Sequence, residues 1–140
     1  MSEALKFHFE VDGQDFTSAG QASVQVKKNL RQLGINPETI RRVSIAMYEG
    51  EINMVIHAGG GYADVIVHEE MIEIVLKDNG PGIANVDLAM QEGFSTAPDN
   101  IRSLGFGAGM GLPNMKRYTD DMKIETELGK GTCITMYVKL

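Results

Sequence analysis

The stretch Met71-Ile72-Glu73-Ile74-Val75-Leu76-Lys77-Asp78-Asn79-Gly80-Pro81-Gly82 decides how this chain is read. Its first seven residues are mostly β-branched or apolar, the composition of a strand, and its last five are turn formers. Just upstream, Tyr62 to Glu69 is a second β-rich run. Almost nothing separates the two, which predicts a tight antiparallel hairpin. A strand that ends on Asp78 fixes a carboxylate at the rim of a sheet, and Gly80 and Gly82 let another group approach the backbone there. A carboxylate so placed accepts from an amino group, and adenine offers one.

Upstream of the hairpin the period changes from two to between three and four. Leu5, Phe7, Phe9 and Val11 alternate on one side of a first strand, and Asp12-Gly13 marks a turn. Ala22, Val26, Leu30 and Leu33 recur at helical spacing, so Ser18 to Leu33 reads as an amphipathic helix with Ser18 as cap and Gly34 as stop. Asn36-Pro37-Glu38 opens a longer helix, with a cap, a proline suited to the first position and an acid near the positive end of the dipole. That helix is expected to run to about His57 and to stop at Gly59-Gly60-Gly61. Downstream of the hairpin, the chain to Gly111 is rich in Gly, Ser, Asn and Pro and reads as a long mobile loop with a short helical stretch from Val86 to Glu92. Leu112 to Asp121 is expected to be helical, and Lys123–Glu127 and Thr132–Leu140 to form a closing hairpin. The order predicts an α/β fold: a two-layer α/β sandwich with a mixed, mostly antiparallel sheet and helices on one face, one domain over residues 1–140.

Composition sets the class of partner. With 43% hydrophobic and 23% charged residues, the chain has the balance of a globular protein. A net charge of −6 with no cationic cluster argues against nucleic acid. No run approaches the roughly 20 apolar residues of a membrane span, so a cytoplasmic location is expected. The single cysteine, Cys133, is read as a small buried hydrophobe.

Two further patterns carry chemistry. Glu49 and Asn53 lie four apart in the second helix and project from one face. A carboxylate beside a carboxamide can poise a nucleophile and supply oxygen to Mg²⁺. Glu51 lies about 200° away from Glu49 around the helix and reads as plain surface. Gly105, Gly107, Gly109 and Gly111 alternate ahead of a helical segment, which frees backbone N–H groups to face a phosphate. A Rossmann site would need these glycines directly after a strand in a βαβ unit, and a Walker loop would need Gly-Lys-Ser/Thr; neither pattern is present.

Taken together, these segments resemble the Bergerat (GHKL) ATP-binding fold of gyrase, the Hsp90 chaperone, histidine kinases and MutL. Glu49-Gly50-Glu51-Ile52-Asn53 looks like its N box, Asp78 to Gly82 its first glycine box, Gly105 to Gly111 its second and Gly131-Thr132 its third. Within that superfamily the chain is most similar to the stand-alone serine/threonine kinases of bacterial partner-switching modules, the anti-sigma-factor kinases and the stressosome switch kinase. By that resemblance Asn53 would bind Mg²⁺ and Glu49 would act as base. Asp78, with Gly80 and Gly82 beside it, would hold adenine, and Thr132 would support the same contact. Gly105, Gly107, Gly109 and Gly111 would hold the phosphates of ATP, and Arg102 would meet the γ-phosphate. The resemblance implies a partner of the STAS-domain antagonist type and a sigma factor or other regulator, and it leaves open whether the chain acts as a homodimer. It also admits two alternatives: a non-catalytic nucleotide-dependent binding module, and a detached histidine-kinase-like catalytic domain.

Overall fold

The computed structural model describes residues 5–12, 20–83, 86, 90 and 111–140. The described elements run β1 (Leu5–Asp12), α1 (Gln21–Gln32), α2 (Pro37–Ala58), β2 (Gly60–Val67), β3 (Met71–Asp78), α3 (Gly111–Arg117), β4 (Asp121–Glu127) and β5 (Gly131–Lys139). The strands form one sheet in the order β1-β2-β3-β5-β4. All four pairings are antiparallel. Alternate strand positions, among them Ala63, Val65, Ile74, Leu76, Ile134 and Met136, are buried in one cluster with Val26, Leu30, Val43, Met47 and Met115 of the helices. The intervening positions carry Lys6, His8, Glu10, Lys123 and Glu125, the mark of an antiparallel sheet with one open face.

Local sequence accounts for the helix ends. The carboxamide of Asn36 accepts from Glu38 N at 2.8 Å, and Pro37 opens α2, as its sequence predicts. At the end of α1, Gly34 N donates to Arg31 O and Ile35 N to Leu30 O, which satisfies carbonyls that the helix leaves unpaired. The expected cap Ser18 lies outside the described residues. In its place, Gly20 occupies the N-cap of α1 and supplies no side-chain cap bond.

The cap of α1 comes from across the fold. Glu51 is only 3% exposed. Its carboxylate accepts from Gly20 N at 2.7 Å, Ala22 N at 3.2 Å and Ser23 N at 3.1 Å. A helix N-terminus leaves N–H groups without intrahelical partners and carries partial positive charge, so a buried carboxylate there satisfies both. The reading of Glu51 as surface is therefore wrong: periodicity places a residue on a helix face but does not say what lies against that face.

Gly50 marks where α2 lies closest to the sheet. A Cβ built on it would overlap Leu76 Cδ1 of β3 and come within 3.1 Å of Met115 Cε of α3. Other expectations also needed correction. Helix α3 stops at Arg117 rather than Asp121, because Thr119 Oγ1 bonds back to Met115 O at 2.8 Å and Asp121 already pairs with Tyr137 in the sheet. Met115 is fully buried, and Cys133, read as a buried hydrophobe, is half-buried on the open face. The helical stretch expected from Val86 shows within the described residues as Met90 N donating to Val86 O at 2.9 Å.

Replacing Gly50 by alanine sets two effects against each other. Helix propensity favours alanine by about 1 kcal/mol, whereas forcing a methyl into a packed core costs about 1–3 kcal/mol. Because Leu76 is 2% exposed and has little room to retreat, the packing cost is expected to win. Urea unfolding of Gly50→Ala should show a lower midpoint at unchanged m-value.

Candidate functional site

Four candidate residues, Asp78, Gly80, Gly82 and Thr132, converge at one end of the sheet, where α2 hands over to β2. Asp78 ends β3 directly opposite Thr132 of β5. Its Oδ1 accepts from Gly80 N at 2.9 Å and from Thr132 N at 3.2 Å, which fixes the carboxylate plane. Both bonds fall on Oδ1, and among the described residues no hydrogen bond falls on Oδ2. Thr132 Oγ1 lies 2.9 Å from Thr126 Oγ1, which in turn accepts from Ile83 N at 2.8 Å. These contacts tie the turn after β3 to β4 and β5. Gly82 has φ +79°, and a Cβ there would lie 2.5 Å from Glu127 O, so the backbone of the β4–β5 turn occupies the space beside it. The last turns of α2 reach the same end: at Gly61 a built Cβ would meet both Met54 Cε at 2.8 Å and Asp78 Cα at 3.0 Å.

On α2, Glu49 and Asn53 are both half-buried. Burial pushes the Glu49 carboxyl above the usual carboxylate range, and the amide of Asn114 on α3, 3.4 Å from Oε1, opposes that rise. A carboxylate held this way is a stronger base than a solvated one. Asn114 is a contact that sequence reasoning missed, since nothing in the order of residues says that α3 crosses α2 at Glu49. Among the described residues the carboxamide of Asn53 has no hydrogen-bond partner. No group of three His, Cys, Asp or Glu is arranged for a metal among the described residues. Mg²⁺ is commonly held by one or two protein oxygens, with phosphates and water completing the shell, and a single free carboxamide oxygen fits that donor set.

Arg102, Gly105, Gly107 and Gly109 lie outside the described residues. Gly111 is described as the first residue of α3. The structure thus brings Asp78 together with Gly80, Gly82 and Thr132, and sets Glu49 against Asn114. The small cavity of about 160 Å³ between β1, α1 and α2 is lined by Glu10, Asp12, Gln21 and Glu51, residues other than those named for the site. No described helix is long and apolar enough to cross a membrane.

Comparison with known proteins gives the family. The family model described as histidine kinase-, DNA gyrase B- and HSP90-like ATPase matches residues 38–140. An anti-sigma F factor of Clostridium acetobutylicum is 32% identical, with 96% of this chain and 91% of that protein covered. Another from Clostridium novyi (strain NT) is 34% identical over 85% of this chain and 84% of its own length. A third, from Geobacillus sp. (strain WCH70), is 31% identical over 84% and 80%.

The upward shift at Glu49 has a consequence for stability. A folded-state pKa above the unfolded value means that the native protein holds this proton more tightly. The associated stabilisation is complete below the unfolded pKa and is lost as pH rises through the folded one. Glu49→Gln removes this dependence. Relative to the parent, the variant should become slightly more stable as pH rises above the ordinary carboxylate range, the effect being small because the exposed half of the group is screened. Unfolding midpoints compared across that range test this, and a parent–variant difference that stays flat with pH would refute it.

Proposed function

The chain belongs to the histidine kinase-, DNA gyrase B- and HSP90-like ATPase family, and from that premise we propose that it is an ATP-dependent protein serine/threonine kinase of a partner-switching module. Its substrate in this reading is a hydroxyl on a STAS-type antagonist domain. The observation that carries the proposal is the pairing, on one face of α2, of a half-buried carboxyl raised by burial with a half-buried carboxamide one turn away. Phosphoryl transfer asks a protein mainly for positioning and charge stabilisation, and this face offers both.

Each residue has a task. Oδ2 of Asp78 accepts from the adenine amino group, and Thr132, locked to Thr126, keeps that carboxylate in register. Asn53 gives its oxygen to Mg²⁺, which neutralises phosphate charge when bound. The backbone N–H groups of Gly105, Gly107, Gly109 and Gly111 hold the phosphates, and Arg102 meets the γ-phosphate. Glu49 takes the proton of the attacking Ser or Thr hydroxyl as its oxygen bonds to the γ-phosphorus. The bond from that phosphorus to the bridging oxygen breaks, and its electron pair leaves with ADP. The relatives' name, anti-sigma F factor, favours a second activity beside the first: holding a sigma factor, with nucleotide state setting which partner is bound.

Incubation with Mg²⁺-ATP and a STAS-domain protein, followed by mass spectrometry of the product, tests the reaction. Phosphoserine or phosphothreonine is expected; phosphohistidine, or no transfer to any such partner, overturns the proposal. Glu49→Gln should lower the transfer rate by roughly 100-fold and leave ATP affinity nearly unchanged, whereas Asn53→Ala should abolish the Mg²⁺ dependence of binding. Asp78→Asn should weaken ATP by about tenfold, the loss of one good hydrogen bond. Isothermal titration calorimetry of the three variants separates these outcomes.

A further inference from the structure

Between Glu49 and Asn53 on α2 sits a residue that the reaction above does not use. Glu51 lies about 200° around the helix from each of them, so it points away from the face that carries the chemistry. It is buried and accepts three backbone N–H groups at the start of α1. Gly50, in between, sets the opposite constraint by letting α2 settle against Leu76 and Met115. A close approach alone fixes how near a helix lies but leaves it free to roll about its own axis. A side chain clamped about 100° around the helix from that contact removes that freedom.

We propose that Glu51 is the positioning residue of the site: its grip on the N-terminus of α1 fixes the rotation of α2 and so the direction in which Glu49 and Asn53 point. The clamp suits the purpose because both of its ends are backbone-defined. Its donors are the N–H groups of Gly20, Ala22 and Ser23, and Ser23 is itself held by its hydroxyl to Gly20 O at 2.8 Å. Three bonds converge on this one carboxylate, so a roll of α2 that moves it would weaken all three together. Asp78 is held by Gly80 and Thr132 at the end of the sheet and does not depend on the clamp. Loss of Glu51 should therefore damage one half of the site and spare the other.

The inference rests on the kinase reading for its chemistry, and its test separates the two. In Glu51→Val, a variant that removes the carboxylate and leaves a smaller apolar side chain, ADP binding without Mg²⁺ should stay within about threefold of the parent, less than the 1.4 kcal/mol that a tenfold change represents. The Mg²⁺-dependent gain in ATP affinity and the transfer rate should both fall by roughly 10- to 100-fold, the effect of misplacing a catalytic group by about 1 Å. Glu51→Gln, which keeps one oxygen for the α1 amides, should recover part of both losses, and it serves as the test if the valine variant does not fold. Parallel loss of Mg²⁺-free and Mg²⁺-dependent binding, or no change in either, overturns the proposal.

Titration of the Glu49 carboxyl by carbon-13 NMR reads the same rotation without nucleotide or partner. Its raised midpoint should drop toward the ordinary carboxylate range in the folded Glu51 variants, as the freed helix turns the group toward water. An unmoved midpoint in a folded variant overturns the positioning role even if kinase activity is never found. A moved midpoint in a protein that transfers no phosphate keeps the clamp and rejects the kinase.

Discussion

Helix α2 lies against the sheet with no side chain at Gly50 to hold it off, and the rest of the structure is arranged around that approach. Leu76 of β3 and Met115 of α3 fill the contact from below and from the side. Both are essentially sealed from water. Interiors packed to crystal-like density transmit such a constraint rather than absorb it, so the position of α2 also sets where α1 and α3 can sit. The short α3, with Met115 buried and Asn114 beside Glu49, is held in that corner.

The same packing explains why a carboxyl group on a helix face acquires the character of a base. Glu49 is neither buried deeply enough to be expelled nor exposed enough to behave as surface, and the single amide contact from Asn114 only partly offsets its desolvation. Two buried or half-buried acids of one helix thus do different work. Glu51 is matched by three N–H donors and holds two helices together. Among the described residues Glu49 has one long contact, to Asn114. Groups left under-satisfied in an otherwise consistent structure are where function is expected.

The end of the sheet is held by hydrogen bonds as the helix is held by packing. The Asp78–Thr132 pair closes a ladder that runs through β3 and β5, and the Thr132–Thr126–Ile83 contacts continue it into β4 and the turn after β3. A carboxylate fixed by backbone on both sides has one orientation to offer a ligand. A rigid scaffold edge with a functional group at its tip is a common way to build a recognition site.

The sequence by itself determined the elements and most of the candidate residues, because both are written in local chemistry. Period two gave β1, β-rich composition gave the β2–β3 hairpin, helical spacing gave α1, and Asn36-Pro37 and Gly59-Gly60-Gly61 gave the ends of α2, all from forces that act within a few residues. The spacing of Glu49 and Asn53 and the Asp78 turn were legible for the same reason. Only the tertiary structure decided what lay opposite each face. Glu51 became a buried helix cap, Met115 became core, Asn114 met Glu49, and α3 stopped early because β4 claimed Asp121. The partners in these cases are 28 or more residues away in the chain for Glu51 and 65 for Asn114. No local preference encodes a contact at that separation; it exists only once the packed core has brought the helices together.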